Sequence, residues 1–235
     1  MRSGVVAAAF ALLLPAAATA QDFGPPPPLP GEEDSAFISG LPMTTGLRGS
    51  LAFSGDVHGT IPGSPPRGFE AKAQTGGGGS LYVGTRLPYN FKLEIEGLYR
   101  YLPLNKVDLG GPAIASDGHA HVAGPMINLL WEMPAMPGVP NTPVIGMGVG
   151  ALYVASNPND SIGTTYFRST TWNLAYNFLT GAEFALNDTS RLSAMYSWLR
   201  VEDVRGKCGA FGVPTATCRP KLTTQSVDFG IEMDL

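Results

Sequence analysis

Residues 91–102 read FKLEIEGLYRYL. Phe91, Leu93, Ile95, Tyr99 and Tyr101 share one parity, and Lys92, Glu94, Glu96 and Arg100 share the other. A period of two is that of an extended strand, whose successive side chains point to opposite faces. One face of this strand suits an apolar medium. The other carries four charges, which need water or partners of opposite sign.

The alternation recurs on both sides of this segment. Residues 44–54 put Leu47, Gly49, Leu51 and Phe53 on one face. Residues 71–87 set Leu81, Val83 and Leu87 against Tyr82, Gly84 and Arg86. Residues 118–133 set Ile127, Leu129 and Trp131 against Asn128 and Glu132; residues 143–156 set Ile145, Met147, Val149, Ala151 and Tyr153 against Gly146, Gly148 and Gly150. Residues 171–186 set Trp172, Leu174, Tyr176, Phe178 and Phe184 against Asn173, Asn177 and Glu183. Residues 190–202 align Leu192, Ala194, Tyr196 and Trp198, and residues 222–235 alternate Val227, Phe229, Ile231 and Met233 with Ser226, Asp228, Gly230 and Glu232.

The connections alternate as well. Pro88-Tyr89-Asn90 and Asn187-Asp188-Thr189 read as tight turns, and 134–142 is a Pro-rich link. The links 55–70, 103–117, 157–170 and 203–221 are long and polar. Short turns at one end and long loops at the other are the wiring of an outer-membrane barrel. The fold expected for 44–235 is therefore all-β: an eight-stranded antiparallel up-and-down transmembrane β-barrel.

A soluble barrel of the lipocalin kind would put the apolar face inward around a ligand. Three features favour the inverse. Lys92, Glu94, Glu96, Arg100, Glu183, Asp228 and Glu232 fall on the polar faces, where they can pair across a narrow lumen. Aromatic residues such as Phe91, Tyr99, Tyr101, Trp131 and Trp172 sit near segment ends on the apolar faces, as interfacial girdles do. Gly146, Gly148 and Gly150 would leave room inside for long charged side chains from the facing wall. On this reading Ile231→Arg puts a charge into lipid, whereas Ser at the neighbouring Gly230 does much less.

Composition agrees. Hydrophobic residues make up 44% and charged residues 14%, with 30 Gly and 21 Pro; the charged share is far below the roughly 25% of soluble domains. The chain opens with Arg2, an apolar run over 5–14 and Ala18-Thr19-Ala20, the pattern of a cleaved secretory signal, so 1–20 are set aside from the fold. Residues 21–43, with Pro25 to Pro28 and then Glu32-Glu33-Asp34, read as a Pro-rich periplasmic leader in polyproline form. After residue 20 no apolar stretch reaches the length of a membrane helix. The net charge is −4 with no basic stripe, which excludes nucleic acid as a partner. The expected place is the Gram-negative-type outer membrane, with its lipid as the first partner.

Taken together, the signal, the eight segments and the alternating connections resemble the opacity-type family of small outer-membrane proteins, similar in turn to the barrel half of OmpA-type proteins. Residues 174–188 (LAYNFLTGAEFALND) resemble the family's sixth strand and following turn, and residues 227–235 (VDFGIEMDL) its closing strand. The resemblance implies that this last strand carries the signal read by the barrel-assembly machinery. The family's chains usually end in an aromatic residue; this one ends in Leu235.

Candidate chemistry is sparse. His119 and His121, two apart, point the same way on a strand and could hold a metal, but no third ligand is identifiable near them, and they sit beside a long loop. Ser116 and Asp117 precede His119 without forming a hydrolase constellation on a rigid strand. Gly76 to Gly79 lacks the Lys-Ser/Thr ending of a phosphate loop and reads as close packing or curvature. Cys208 and Cys218, an even pair in an exported chain, read as a disulfide. No catalytic, cofactor or metal position is assigned. The expected function is a non-enzymatic structural or surface-exposed envelope protein presenting four external loops to an unknown surface ligand. The alternatives are a narrow pore for small solutes and, behind it, a lipid A-modifying enzyme.

Overall fold

A computed structural model describes residues 42–61, 67–108, 114–115, 118–134, 141–157, 167–208 and 216–235. The proposed signal, most of the leader, and Ser116 and Asp117 lie outside them. Eight strands form the wall: β1 (Met43–Ile61), β3 (Gly76–Leu87), β4 (Phe91–Asp108), β6 (His119–Glu132), β7 (Asn141–Asn157), β8 (Phe167–Ala185), β9 (Ser190–Val201) and β12 (Lys221–Asp234). Each pairs antiparallel with the next in this order, and β12 pairs back onto β1, with Leu47 opposite Ile231 and Gly49 opposite Phe229. The ring is closed: an eight-stranded antiparallel barrel of up-and-down connectivity.

The parity read from the sequence sets the faces. Ile95 is 62% exposed while Lys92, on the same strand, is 0% exposed. Leu47, Leu81, Met147, Leu174 and Phe229 are exposed on the outer wall in the same way. This is the inverse of a soluble barrel. At the turn end, Pro88–Asn90 links β3 to β4 through Tyr89 and Asn90, both at φ 64°. Asn accepts the left-handed region through its short polar side chain; Tyr does so at a steric cost. The 187–189 turn is held by the Asn187 Oδ1, which accepts from the Thr189 N–H at 2.9 Å.

Two features depart from the sequence reading. First, much of the expected loop sequence is wall. β1 runs on to Ile61, β4 to Asp108, and β8 begins at Phe167. Four short strands extend the rim: β2 (Arg67–Ala73) joins β1 to β4, β5 (Ile114–Ala115) pairs β4, and β10 (Gly206–Cys208) joins β8 to β11 (Ala216–Cys218). Ladder pairing needs only backbone N–H and C=O groups, so it continues past the point where side-chain alternation stops reporting it. Second, residues 71–87 are two strands, broken at Gln74, whose N–H donates to the Pro103 carbonyl at 2.7 Å.

Candidate functional site

The lumen is filled in two layers. In the layer nearer the turns, every wall strand bearing a charge on its inner parity contributes to one network. Lys92 Nζ on β4 donates to Glu183 Oε1 on β8 (2.7 Å) and to Glu232 Oε2 on β12 (2.8 Å), and lies 3.3 Å from Glu94 Oε1. Arg48 grips both oxygens of Glu94, with Nη2 2.8 Å from Oε1, and lies 3.6 Å from Glu96 Oε1. Its guanidinium carbon sits 3.9 Å from the centre of the Tyr82 ring, and the Tyr82 hydroxyl donates to Glu232 at 3.0 Å. Arg86 donates to Glu232 (2.8 Å) and Asp234 (2.7 Å) at the mouth of the barrel. Asn128 Nδ2 donates to Glu96 at 2.6 Å. Arg100 donates to the Ser197 hydroxyl at 2.9 Å and lies 3.6 Å from Asp228.

All seven charges assigned to the lumen from sequence are buried there. Lys92, Glu94, Glu183 and Glu232 share one cluster, Glu96 joins it through Arg48, and Arg100 and Asp228 meet further from the turns within the same polar layer. Arg48, Arg86 and Arg191 also supply positive charge to this acidic cluster, and of the three only Arg86 is assigned to a polar face from sequence. Arg48 was legible: it alternates with Leu47 and Gly49 on the inner parity of the first segment. Around Arg48, Glu96, Arg100, Asn177 and Asp228 the remaining cavity is about 10 Å³, room for about one water.

Nearer the loops the lumen turns apolar. Leu102, Leu104, Val122, Met126, Leu152, Leu199, Val201 and Leu222 pack together with almost no exposure. This plug was missed from the sequence. In β7, Leu152 and Val154 alternate with Ala151 and Tyr153, so both faces are apolar and the period of two vanishes. The three glycines of β7 also serve differently from expectation. A Cβ at Gly148 would meet the amide oxygens of Asn128 and Asn177, and one at Gly146 would meet Leu130. The room they leave is taken by uncharged side chains of neighbouring strands, Leu130, Asn128, Asn177 and Met126, not by long charges from the far wall.

Gly230 is more crowded than alternation alone suggests. A Cβ there would lie 2.6 Å from the Leu47 carbonyl oxygen and 2.8 Å from the Ser193 hydroxyl. Residues paired on both sides of β12 crowd this inner position, so Ser is not tolerated without movement. The Gly76 to Gly79 run lies in β3, where a Cβ at Gly78 would run into the Tyr99 carbonyl; it serves close strand approach.

At the rim, Glu202 ties three strands. It accepts from the Tyr176 hydroxyl (2.7 Å) and Arg200 Nε (2.7 Å), and lies 3.2 Å from Lys221 Nζ. The Tyr176 hydrogen bond, aided by the two cations, holds its carboxyl below the usual carboxylate range. Beside it the β8–β9 ladder opens, leaving a groove of about 530 Å³ lined by Thr170, Trp172, Asn173, Asp203 and Arg205. Cys208 and Cys218 lie on β10 and β11, in a register that pairs Cys208 with Ala216 and Gly206 with Cys218. Their side chains are outside the described residues. His119 and His121 stand on the outer wall of β6, facing away from the lumen network, against Tyr99 and Tyr101 of β4.

No protein-family model matches the chain, and no curated protein matches it by sequence. Solved structures match in shape. Neisserial surface protein A is 14% identical, with a TM-score of 0.46 over 82% of this chain and 97% of that one. The outer membrane protease OmpT from Escherichia coli is 8% identical, with a TM-score of 0.46 over 83% and 97% of the two chains. The outer membrane protein OprG from Pseudomonas aeruginosa is 12% identical, with a TM-score of 0.50 over 83% and 97%. What this chain shares with OprG is the fold, a closed antiparallel barrel.

Proposed function

We propose that this chain is a non-enzymatic outer-membrane barrel of the opacity-type kind, a structural and surface-exposed envelope protein whose four loops face outside. The observation that carries the reading is the inverted barrel with a sealed lumen: apolar side chains such as Ile95 and Phe229 cover the outside, while ion pairs and an apolar plug fill the inside. An outer wall of this kind is stable only in lipid, and a closed ring leaves no unpaired strand edge there. On this reading residues 1–20 are removed on export, 21–43 remain as a periplasmic leader, and β12 is presented to the barrel-assembly machinery. Epitope tags placed within 62–66, 158–166 or 209–215 should be labelled on intact cells, and tags at 187–188 should not. The opposite pattern would falsify the orientation. The purified barrel should also migrate differently on a denaturing gel before and after boiling.

A narrow pore for small solutes is the second reading, and the charged half of the lumen is its one support. The plug of Leu102, Leu152 and Leu199 blocks the path that such a pore needs. Planar-bilayer recording should therefore give no steady conductance. A lipid A-modifying enzyme is the third reading, and mass spectrometry of lipid A from cells with and without the protein tests it.

A further inference from the structure

We infer that His119 and His121 form a two-imidazole chelate for a divalent transition-metal ion, copper(II) by preference, on the outer wall of the barrel, with Tyr99 as its positioning residue. The two residues are i and i+2 on β6, so both project from the same face. Their ring centres lie 5.0 Å apart, with the planes at 75°. Two imidazoles bound side by side to one ion at metal–nitrogen distances of about 2.0–2.1 Å place their ring centres roughly 4.5–5.2 Å apart. The observed spacing falls in that window.

The surroundings fix the rings. The Tyr99 hydroxyl and His121 Nδ1 share a hydrogen bond of 2.8 Å. A ligating histidine commonly gives its second nitrogen to such a partner, which sets ring orientation and leaves the other nitrogen for the metal. With Nδ1 so engaged, Nε2 of His121 is the ligating atom. Tyr101 lies against both rings, at 5.1 Å from His121 and 6.2 Å from His119. Its ladder partner is His121 itself.

Height on the wall also matters. Tyr99 and Tyr101 stand eight and ten residues above Phe91 on β4. At about 3.3 Å per residue and a tilt near 40°, that is roughly 20–25 Å, the height of the apolar band. The cluster therefore sits at the band's upper edge, where water reaches it. No third His, Cys, Asp or Glu joins the pair among the described residues. Imidazole-rich, open sites of this kind follow the order that places copper(II) above nickel(II) and zinc.

The test uses the full-length barrel in lipid nanodiscs, titrated with Cu²⁺ and followed by calorimetry and electron paramagnetic resonance. The wild type is expected to bind one ion whose spectrum carries coupling to two imidazole nitrogens. His119→Asn and His121→Asn together should remove that coupling and weaken binding by more than about tenfold, while heat-modifiable migration stays unchanged because neither ring touches the lumen. Tyr99→Phe should keep the two-nitrogen signature and weaken binding about tenfold, in the range of lost orienting partners. A wild-type spectrum without two-imidazole coupling would overturn the site even if the variants failed to fold. Equal Cu²⁺ affinity in wild type and double variant would overturn it as well.

Discussion

Lys92 Nζ lies 2.8 Å from Glu232 Oε2, a residue 140 positions further along the chain, and both are buried inside the barrel. The pair joins β4 to the closing strand across the lumen. It is one edge of a cluster in which a single ammonium serves Glu94, Glu183 and Glu232.

Removing that ammonium leaves buried carboxylates that repel one another. Lys92→Met should cost about 3–5 kcal/mol, the range for a broken buried ion pair. Glu183→Gln, which removes one carboxylate and keeps the cation, should cost much less. Urea unfolding of the lipid-reconstituted barrel, read by gel mobility, compares the two. Equal midpoints for Lys92→Met and wild type would mean that the network contributes nothing to stability.

Ile95 lies on the outer wall midway between Phe91 and Tyr99 and is 62% exposed. Ile95→Arg should destabilise the inserted barrel by about 2–4 kcal/mol, as expected for a charge near the bilayer midplane. Ile95→Leu should be close to neutral. The same unfolding assay in bilayers of graded thickness checks that the penalty is one of depth.

Gly230 and Gly49 form a contrasting pair. Gly230→Ser must displace the Leu47 carbonyl or the Arg48 and Ser193 side chains, and an overpacked interior costs about 1–3 kcal/mol. At Gly49 the only atom near a new Cβ is the Phe229 carbonyl oxygen at 4.0 Å, so Gly49→Ser should fold like wild type. Refolding yield into lipid vesicles separates the two; equal yields would remove the crowding argument.

Glu202 gives the rim a pH dependence. Its folded pKa is depressed, so its contribution is present above the ordinary carboxylate range and is lost as pH falls through the lower, folded value. Protection of the amides at 202–205, after correction for the intrinsic exchange rate, should therefore fall on acidification below the ordinary carboxylate pKa. Glu202→Gln should show the lowered protection throughout. A response that persists in Glu202→Gln would assign it to another group.

For the cysteines the expected result is a disulfide between Cys208 and Cys218 in protein taken from the envelope. Closing this short loop contributes roughly 2–3 kcal/mol on the chain-entropy model, acting on the β10–β11 hairpin. Changing both to Ser should leave a heat-modifiable barrel with a more protease-sensitive 203–221 segment. Two thiols that label after denaturation without reductant would exclude the bond.

The sequence by itself determined the number of wall strands, their order and which parity faces out. Residues 91–102 and 222–235 show why: in a wall with lipid on one side and charges on the other, each side chain's polarity is dictated by parity alone. The same rule brought Lys92, Glu94, Glu96, Arg100, Glu183, Asp228 and Glu232 to the inside. Tertiary structure decided the rest. Which carboxylate meets which cation depends on strands far apart in the chain, as Lys92 and Glu232 do, and on the stagger of the ring. The apolar plug escaped notice because Leu152 and Val154 neighbour equally apolar outward residues, so no alternation marks them. The crowding at Gly230 comes from the Leu47 backbone and the Ser193 side chain across two ladders. The 5.0 Å approach of His119 and His121 is set by the pleat of β6 together with the Tyr99 and Tyr101 side chains of β4. Alternation reports only which face a residue occupies; distance across the barrel is settled when the ring closes.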